Sequence, residues 1–147
     1  MDGSSTLESV DVQQFLTNFA ETFNNNKPEL AATFCLLPSI IIGDHNKTVL
    51  NSQKALQAIF SRFIRRLHAK GIVNFVPEVN QTMRLSDSLL FTNIRWQLFD
   101  KEGQLQVNGS SSYTMQLMPD QQLKIIITVI DDEEKQLEKM FPLSKRL

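Results

Sequence analysis

Few residues of this chain have side chains suited to catalysis. Asp44 and His45 are adjacent, and Tyr113 lies in a segment of alternating polarity near the C-terminus. A carboxylate or imidazole base and a phenol donor are what an isomerase, dehydratase or cyclase needs to move a proton. Adjacent residues in a turn or strand point apart, so the spacing favours structural roles for Asp44 and His45 and leaves catalysis as the alternative.

The remaining reactive side chains favour structural roles as well. His68, the second of the two histidines, is far from His45 in the sequence and closes a predicted helix, where a cation is favourable. The single cysteine, Cys35, lies between two apolar residues in a segment that we expect to be helical, which favours burial over reactivity. No phosphate-binding glycine loop or metal-ligand pair is present, so we predict no metal and no cofactor.

The composition bounds the class of protein. The chain has 147 residues with 15 basic and 16 acidic side chains, which suits one domain and disfavours a nucleic-acid partner. Apolar runs such as residues 125–130 are too short to cross a membrane, and the first six residues do not resemble a signal peptide. We therefore expect a cytoplasmic single domain over residues 1–147, with its core at about 9–131 and an extension over 132–147.

The N-terminal half has the spacing of helices. Apolar residues at three- and four-residue steps predict a first helix that is capped by Ser9 and ends at Asn24–Asn26. A second, short helix is predicted from Pro28 to Pro38, and a third from Asn51 or Ser52 to Gly71. The apolar stripes that define these helices are Val12, Phe15, Leu16, Phe19 and Phe23, then Leu30, Phe34 and Leu37, then Leu56, Ile59, Phe60, Phe63, Ile64 and Leu67.

The C-terminal half has the period of strands. The β-branched run Ile40–Ile42 before Gly43 predicts a short strand and a turn. Four longer strands are predicted at Ile72–Leu85, Ser88–Phe99, Gln104–Met118 and Leu123–Asp131. Helices followed by a meander of strands indicate an α+β fold, with three helices on one face of a strongly curved, mainly antiparallel sheet.

Alternation along the strands assigns side chains to the two sheet faces. The inner face would meet the helices and enclose a cone, and we predict that a ligand contacts Phe19, Phe63, Trp96, Ser111, Tyr113 and Met115 there. Ile127 and Val129 are assigned to this face and Thr128 to the other. The outer face is predicted to be polar and to form a homodimer through Asn93, Arg95, Gln97, Ser112 and Thr114.

The order of elements resembles the nuclear transport factor 2-like superfamily, which includes ketosteroid isomerases and polyketide cyclases. This resemblance implies a cystatin-like cone that opens at one end, and dimers that form through the sheet. By position, the isomerase base would fall near Ile42 or Gly43, beside Asp44. Phe19 stands where the resemblance implies a phenol, and Ser111 or Tyr113 stands where it implies a protonated acid, so isomerase chemistry is disfavoured. The features that carry the resemblance are the helix end at Asn24–Asn26, the Leu30–Phe34 helix, Ile40–Ile42, the Gln53–Leu67 helix, Arg95-Trp96 in Thr92–Phe99, and Ser-Tyr-Thr in Gly109–Gln116.

Three functions follow from these observations. The first is binding of a small apolar or mildly polar organic molecule in the cone. The second is an isomerase, dehydratase or cyclase that uses Asp44 or His45 as base and Tyr113 as donor. The third is a dimeric protein-interaction module that uses the outer sheet face or the acidic tail after Asp131.

Overall fold

The computed structural model describes residues 10–130, which fold as three helices on one curved sheet. The helices are α1 (Val12–Asn24), α2 (Pro28–Ala32) and α3 (Gln53–Ala69). The strands are β1 (Cys35–Ile42), β2 (Lys47–Leu50), β3 (Ile72–Arg84), β4 (Leu89–Asp100), β5 (Leu105–Leu117) and β6 (Leu123–Ile130). The α+β fold and the four long strands are confirmed, and every predicted strand end within residues 10–130 is located to within one residue.

The six strands form one sheet in the order β2-β1-β6-β5-β4-β3. Strands β3 to β6 make the predicted antiparallel meander, and β1 pairs with β2 as an antiparallel hairpin. Only the pairing of β1 with β6 is parallel, and it joins the N-terminal hairpin to the meander. The two halves of the sequence therefore contribute strands to a single wall.

Hydrogen bonds from side chains hold α1 against β3. The amide of Gln13 donates to the carbonyl of Pro77 and accepts from the Val79 N–H, both at 3.0 Å. At the other end of the helix, Asn24 Oδ1 accepts from the Phe75 N–H at 2.6 Å. These bonds satisfy β3 backbone groups and set the position of the apolar stripe on α1 above the sheet.

Short polar side chains cap the N-termini of α1 and α3, although the cap of α1 is not the residue that the sequence predicted. Asp11, and not Ser9, caps α1, because its carboxylate accepts from the Gln14 N–H at 2.9 Å. Ser9 lies outside the described residues. Ser52 caps α3 through a bond from the Ala55 N–H at 3.1 Å, and Gly71, at a φ of +89°, follows its end as predicted.

The second helix is shorter than predicted, and this corrects the assignment of Cys35. Helix α2 ends at Ala32, and Cys35 begins β1, where it pairs with Ile125 of β6. The Ile125 N–H donates to the carbonyl of Phe34 at 2.9 Å, so the backbone here bonds across to β6 and does not continue the helix. Pairing with the neighbouring strand overrides the helical spacing of the apolar side chains.

The buried thiol of Cys35 is expected to be inert. Burial raises the pKa of this thiol from 9.0 to about 12, although a hydrogen bond with Ser39 opposes the shift. Because the thiolate is the nucleophile, labelling by a disulfide reagent at pH 8 should be at least about 100-fold slower in native protein than in urea. Equal rates would contradict the burial.

The raised pKa of Cys35 also affects stability. Since the folded state keeps the thiol proton to higher pH than the unfolded state, the free energy of unfolding should fall as pH rises from about 9 towards 12.

A bulge in β6 reverses part of the predicted face assignment. Thr114 pairs with Ile127 but Met115 pairs with Ile125, so Ile126 is an extra residue in the ladder. Beyond it, Thr128 and Ile130 face the helices. Ile127 and Val129, which pair with Thr114 and Ser112, therefore lie on the outer face. The inward assignment of Ile127 and Val129 and the outward assignment of Thr128 are thus wrong, because one extra residue flips all later side chains.

Two predictions concern residues beyond the described range. The expected extension over residues 132–147, and the end of the last strand at Asp131, lie outside it. Within residues 10–130, none of the helices has the length and apolarity that a membrane span requires.

A candidate ligand-binding cavity

A cavity of about 150 Å³ lies between the helices and the inner face of the sheet. Its helix side comes from α1 and α3, and its sheet side comes from β1, β3, β4, β5 and β6. Seven of the lining side chains are aromatic, which makes the cavity mostly apolar. The lining residues are Phe19, Phe23, Ile41, Ile59, Phe60, Phe63, Phe75, Trp96, Leu98, Ser111, Tyr113, Thr128 and Ile130.

Phe23 is the centre of the aromatic wall. It is nearly buried and contacts five other rings at centroid distances between 4.9 and 6.1 Å. Tilted and edge-on contacts of this kind favour a rigid cluster because the positive edge of one ring meets the negative face of the next. The five rings are those of Phe19, Phe60, Phe63, Phe75 and Trp96.

The polar groups of the cavity are gathered on two neighbouring strands. Ser111 and Tyr113 of β5 and Thr128 of β6 form what we call the polar edge. Tyr113 and Thr128 are direct partners across the ladder, so their Cβ atoms are about 5 Å apart. Among the described residues, no charged side chain lines the cavity. The arrangement offers hydrogen bonds on one side and apolar contact elsewhere.

One hydrogen bond fixes the orientation of the aromatic groups beside the polar edge. Trp96 Nε1 donates to Tyr113 Oη at 3.0 Å, and both side chains are buried, with 4% and 5% of their surfaces exposed. A phenol oxygen that accepts a hydrogen bond becomes a stronger donor through its own O–H. Tyr113 is therefore held in one position on the wall of the cavity.

The structure brings most of the predicted ligand-binding residues together. Phe19, Phe63, Trp96, Ser111 and Tyr113 all line the cavity, whereas Met115 is fully buried in the core and does not. Met115 has the expected inward orientation, but it pairs with Ile125 beyond the bulge, where both side chains belong to the hydrophobic core. Alternation along a strand therefore shows which side chains face inward, but not which of them line the cavity and which belong to the core. Sequence analysis missed Thr128 and Ile130, because no residue in β6 signals the bulge.

The structure does not place the predicted bases in the cavity. Asp44 and His45 are exposed in the turn between β1 and β2, where Gly43 N–H donates to the Asn46 carbonyl at 2.9 Å. Neither lines the cavity. Of the three residues considered for catalysis, Tyr113 alone lies there, so the geometry supplies a hydrogen-bond donor without a base. Phe19, which stands where the resemblance implies a phenol, lines the cavity as an apolar side chain.

His68 packs behind the cavity wall. Its ring lies 6.3 Å from that of Phe75, and its Nε2 is buried with no hydrogen-bond partner among residues 10–130. Since the Phe75 side chain, and not His68, lines the cavity, the imidazole does not reach its interior. In the same range of residues, no three His, Cys, Asp or Glu side chains are grouped to hold a metal ion.

Comparison with protein families agrees with the architecture. The sequence model of the NTF2-like family DUF6841 matches residues 8–133, which is most of the chain. This protein belongs to that NTF2-like family. The resemblance seen in the order of its elements is thereby confirmed. No curated protein matches this NTF2-like chain at a significant level.

Solved structures share this fold at low sequence identity. An NTF2-like protein of unknown function from Shewanella oneidensis MR-1 has a TM-score of 0.67 and 14% identity, covering 84% of this chain and 98% of its own. A cystatin-like domain of unknown function from Nostoc punctiforme PCC 73102 has a TM-score of 0.65 and 14% identity over 88% and 82% of the two chains. A ketosteroid isomerase-like protein from Erwinia carotovora atroseptica SCRI1043 has a TM-score of 0.57 and 9% identity, over 87% and 94%. These identities establish a common fold and carry no activity to this NTF2-like protein.

Proposed function

We propose that this NTF2-like protein binds a small, neutral organic molecule in the cavity between α1, α3 and the sheet. The observation that carries the proposal is an apolar cavity with one polar edge and no charged lining residue. Binding sites for small organic molecules have this composition, with a few polar groups that orient the ligand. A cytoplasmic location belongs to the same proposal, because the buried free thiol of Cys35 suits a reducing compartment.

Binding without turnover is the version that the geometry supports best. Proton transfer needs a base within about 3 Å of the substrate, and Asp44 and His45 are exposed in a turn away from the cavity. The volume of about 150 Å³ is also below the range of about 300–1,000 Å³ typical of pockets for drug-sized ligands. A molecule as large as a steroid therefore does not suit this cavity.

A cavity-filling substitution tests the proposed site. Replacing Ile41 with phenylalanine adds a ring to the cavity wall, so the affinity for any ligand bound there should fall at least tenfold. Ile40→Phe is the matched control, because Ile40 neighbours Ile41 but pairs with Ile127 and points to the outer face. Titration of toluene and p-cresol, followed by the fluorescence of Trp96, measures both.

Two results would contradict the proposed site. If both variants lose affinity equally, the ligand does not enter the cavity. If the wild-type protein binds neither toluene nor p-cresol up to their solubility limits, the proposed function fails. Circular dichroism and urea unfolding of Ile41→Phe confirm that a loss of affinity does not come from unfolding.

We also propose that the outer face forms a homodimer, centred differently from the sequence expectation. The residues expected to mediate it include Asn93, whose amide donates to Ser110 and Ser112 at 3.0 and 3.1 Å, and Arg95, which donates to Asn108 at 3.0 Å. These polar groups already form hydrogen bonds within the sheet, so they are less available to a partner subunit than the apolar side chains beside them. Aligned pairs instead create an outer row across all six strands that is apolar except for one threonine, formed by Met83, Phe91, Thr114, Ile127, Ile40 and Val49.

The outer row supports dimerisation because its ends are unusually exposed. Met83 and Val49, on the two edge strands, keep 48% and 57% of their surfaces accessible, and apolar side chains exposed along one row favour an interaction site. In a C2 dimer the outer rows of the two subunits contact each other, so each substitution enters the interface twice. Ile127→Glu should therefore raise the dissociation constant of the dimer at least tenfold. Gln97→Glu, on the polar part of the same face, is the matched control and should have little effect. Light scattering after gel filtration measures both, and a wild-type monomer at 100 µM would refute the proposal.

A further inference from the structure

The two sides of the cavity differ in chemistry. The helix side is made only of apolar side chains, which are Phe19, Phe23, Ile59, Phe60 and Phe63. The polar edge of Ser111, Tyr113 and Thr128 lies entirely on the sheet side. A ligand that satisfies both sides must itself be two-sided, with an apolar body towards the helices and a hydrogen-bonding group towards β5 and β6.

The volume limits the size of the apolar body. A cavity of about 150 Å³ lined by apolar side chains is large enough for benzene. Two fused rings would require displacement of the tightly packed cluster around Phe23, which costs free energy because protein interiors are close-packed. The seven aromatic side chains of the lining also favour a planar ring, which they can contact at edge and face.

The lining also selects against charge. Moving a carboxylate or an ammonium group from water to an apolar site costs far more than moving a neutral group, unless an opposite charge receives it. No charged side chain of the described range lines this cavity. A hydroxyl or carbonyl group, in contrast, suits the polar edge, because hydroxyl side chains can donate to it and accept from it.

We propose that the ligand is a neutral molecule with a single ring and one hydroxyl or carbonyl group, and that Thr128 is the residue that selects the polar group. This inference rests on the proposed function. Thr128 stands directly across the ladder from Tyr113, whose phenol is held by Trp96. The bulge in β6 turns the Thr128 side chain into the cavity, and in a regular strand an apolar neighbour would take its place.

A series of four ligands tests separately how the affinity depends on the size, the charge and the polar group of the ligand. We expect p-cresol to bind at least tenfold tighter than toluene, because only p-cresol can bond to the polar edge. Benzoate at pH 7 and 2-naphthol should not bind within their solubility limits. Isothermal titration or the shift of the unfolding temperature gives each affinity with the purified full chain.

Substitution of Thr128 tests the assignment of the selecting residue. Thr128→Val keeps the shape but removes the hydroxyl, so the affinity for p-cresol should fall about fivefold to tenfold while that for toluene stays the same. Thr114→Val is the matched control, because Thr114 lies on the outer face of the neighbouring strand and should change neither affinity. An unchanged preference for p-cresol in Thr128→Val would overturn the role of Thr128.

Other outcomes separate this inference from the proposed function. If toluene binds as tightly as p-cresol, or if 2-naphthol or benzoate binds better than both, the cavity binds ligands but the proposed ligand class is wrong. If no member of the series binds, the proposed function itself fails. The wild-type series gives these answers even if Thr128→Val does not fold.

Discussion

Phe23→Ala is expected to reduce the free energy of unfolding by about 3–5 kcal/mol. Phe23 is 4% exposed and contacts five aromatic rings from α1, α3 and the sheet, so its removal leaves a void that rigid neighbours cannot close. Urea unfolding followed by circular dichroism measures the loss. Leu30→Ala is the control, because Leu30 is 46% exposed and should change stability by less than about 0.5 kcal/mol.

The same variant should also change ligand selection. Removing the Phe23 ring enlarges the cavity, so 2-naphthol should bind Phe23→Ala and raise its unfolding temperature, while the wild-type protein does not respond. A loss below about 1 kcal/mol would show that Phe23 is not the centre of the cluster. Equal responses of the two proteins to 2-naphthol would show that the packed wall does not limit ligand size.

Trp96→Ala is expected to cost about 3–5 kcal/mol and to remove stabilisation by p-cresol. The Trp96 side chain lies on β4 between the Phe23 ring of α1 and the phenol of Tyr113, so its loss opens the cavity and removes the hydrogen bond to Tyr113 Oη. Urea unfolding by circular dichroism again measures the stability. A variant that retains both wild-type stability and the response to p-cresol would contradict the assigned position of Trp96 at the site.

The conservative variant Tyr113→Phe separates the hydrogen bond from the packing. It keeps the ring but leaves the buried Trp96 N–H without its acceptor, which should cost about 1–3 kcal/mol. A double-mutant cycle with Trp96→Phe should give a coupling of at least about 0.5 kcal/mol, because the two residues share this bond. Additive losses would show that the bond does not stabilise the native state.

The helices and the meander could be predicted because local chemistry and tertiary structure agree there. The stripe on α3 repeats at helical spacing, and Ser52 and Gly71 terminate it with residues suited to those positions. The turns after β3 and β4 likewise consist mostly of polar residues, with Gly103 in the second, so strand ends were located to within one residue. Five of the six residues predicted to bind ligand line the cavity for the same reason, since helical spacing places Phe19 and Phe63 on the inner stripes and alternation holds for the other three through β4 and β5.

The segment around Cys35 shows where local signals are insufficient. The apolar residues Leu30, Phe34 and Leu37 have helical spacing, yet only Leu30 lies in α2. The ring of Phe34 still packs on those of Phe15 and Phe19, both at 5.3 Å, so the pattern identified buried contacts correctly but assigned them to one element. Which structure the chain adopts there depends on a hydrogen-bonding partner in β6, about 90 residues later in the chain.

The sequence by itself determined the α+β class, the NTF2-like order of elements and the apolar inner face, because periodicity and turn residues are local properties. The tertiary structure alone decided that Thr128 joins Ser111 and Tyr113 in the polar edge, and which residues form the outer row. A single extra residue in β6 moves the Thr128 side chain into the cavity and that of Ile127 to the outer surface. The three consecutive isoleucines at 125–127 give no local reason for a bulge, since it depends on how β6 fits between β1 and β5.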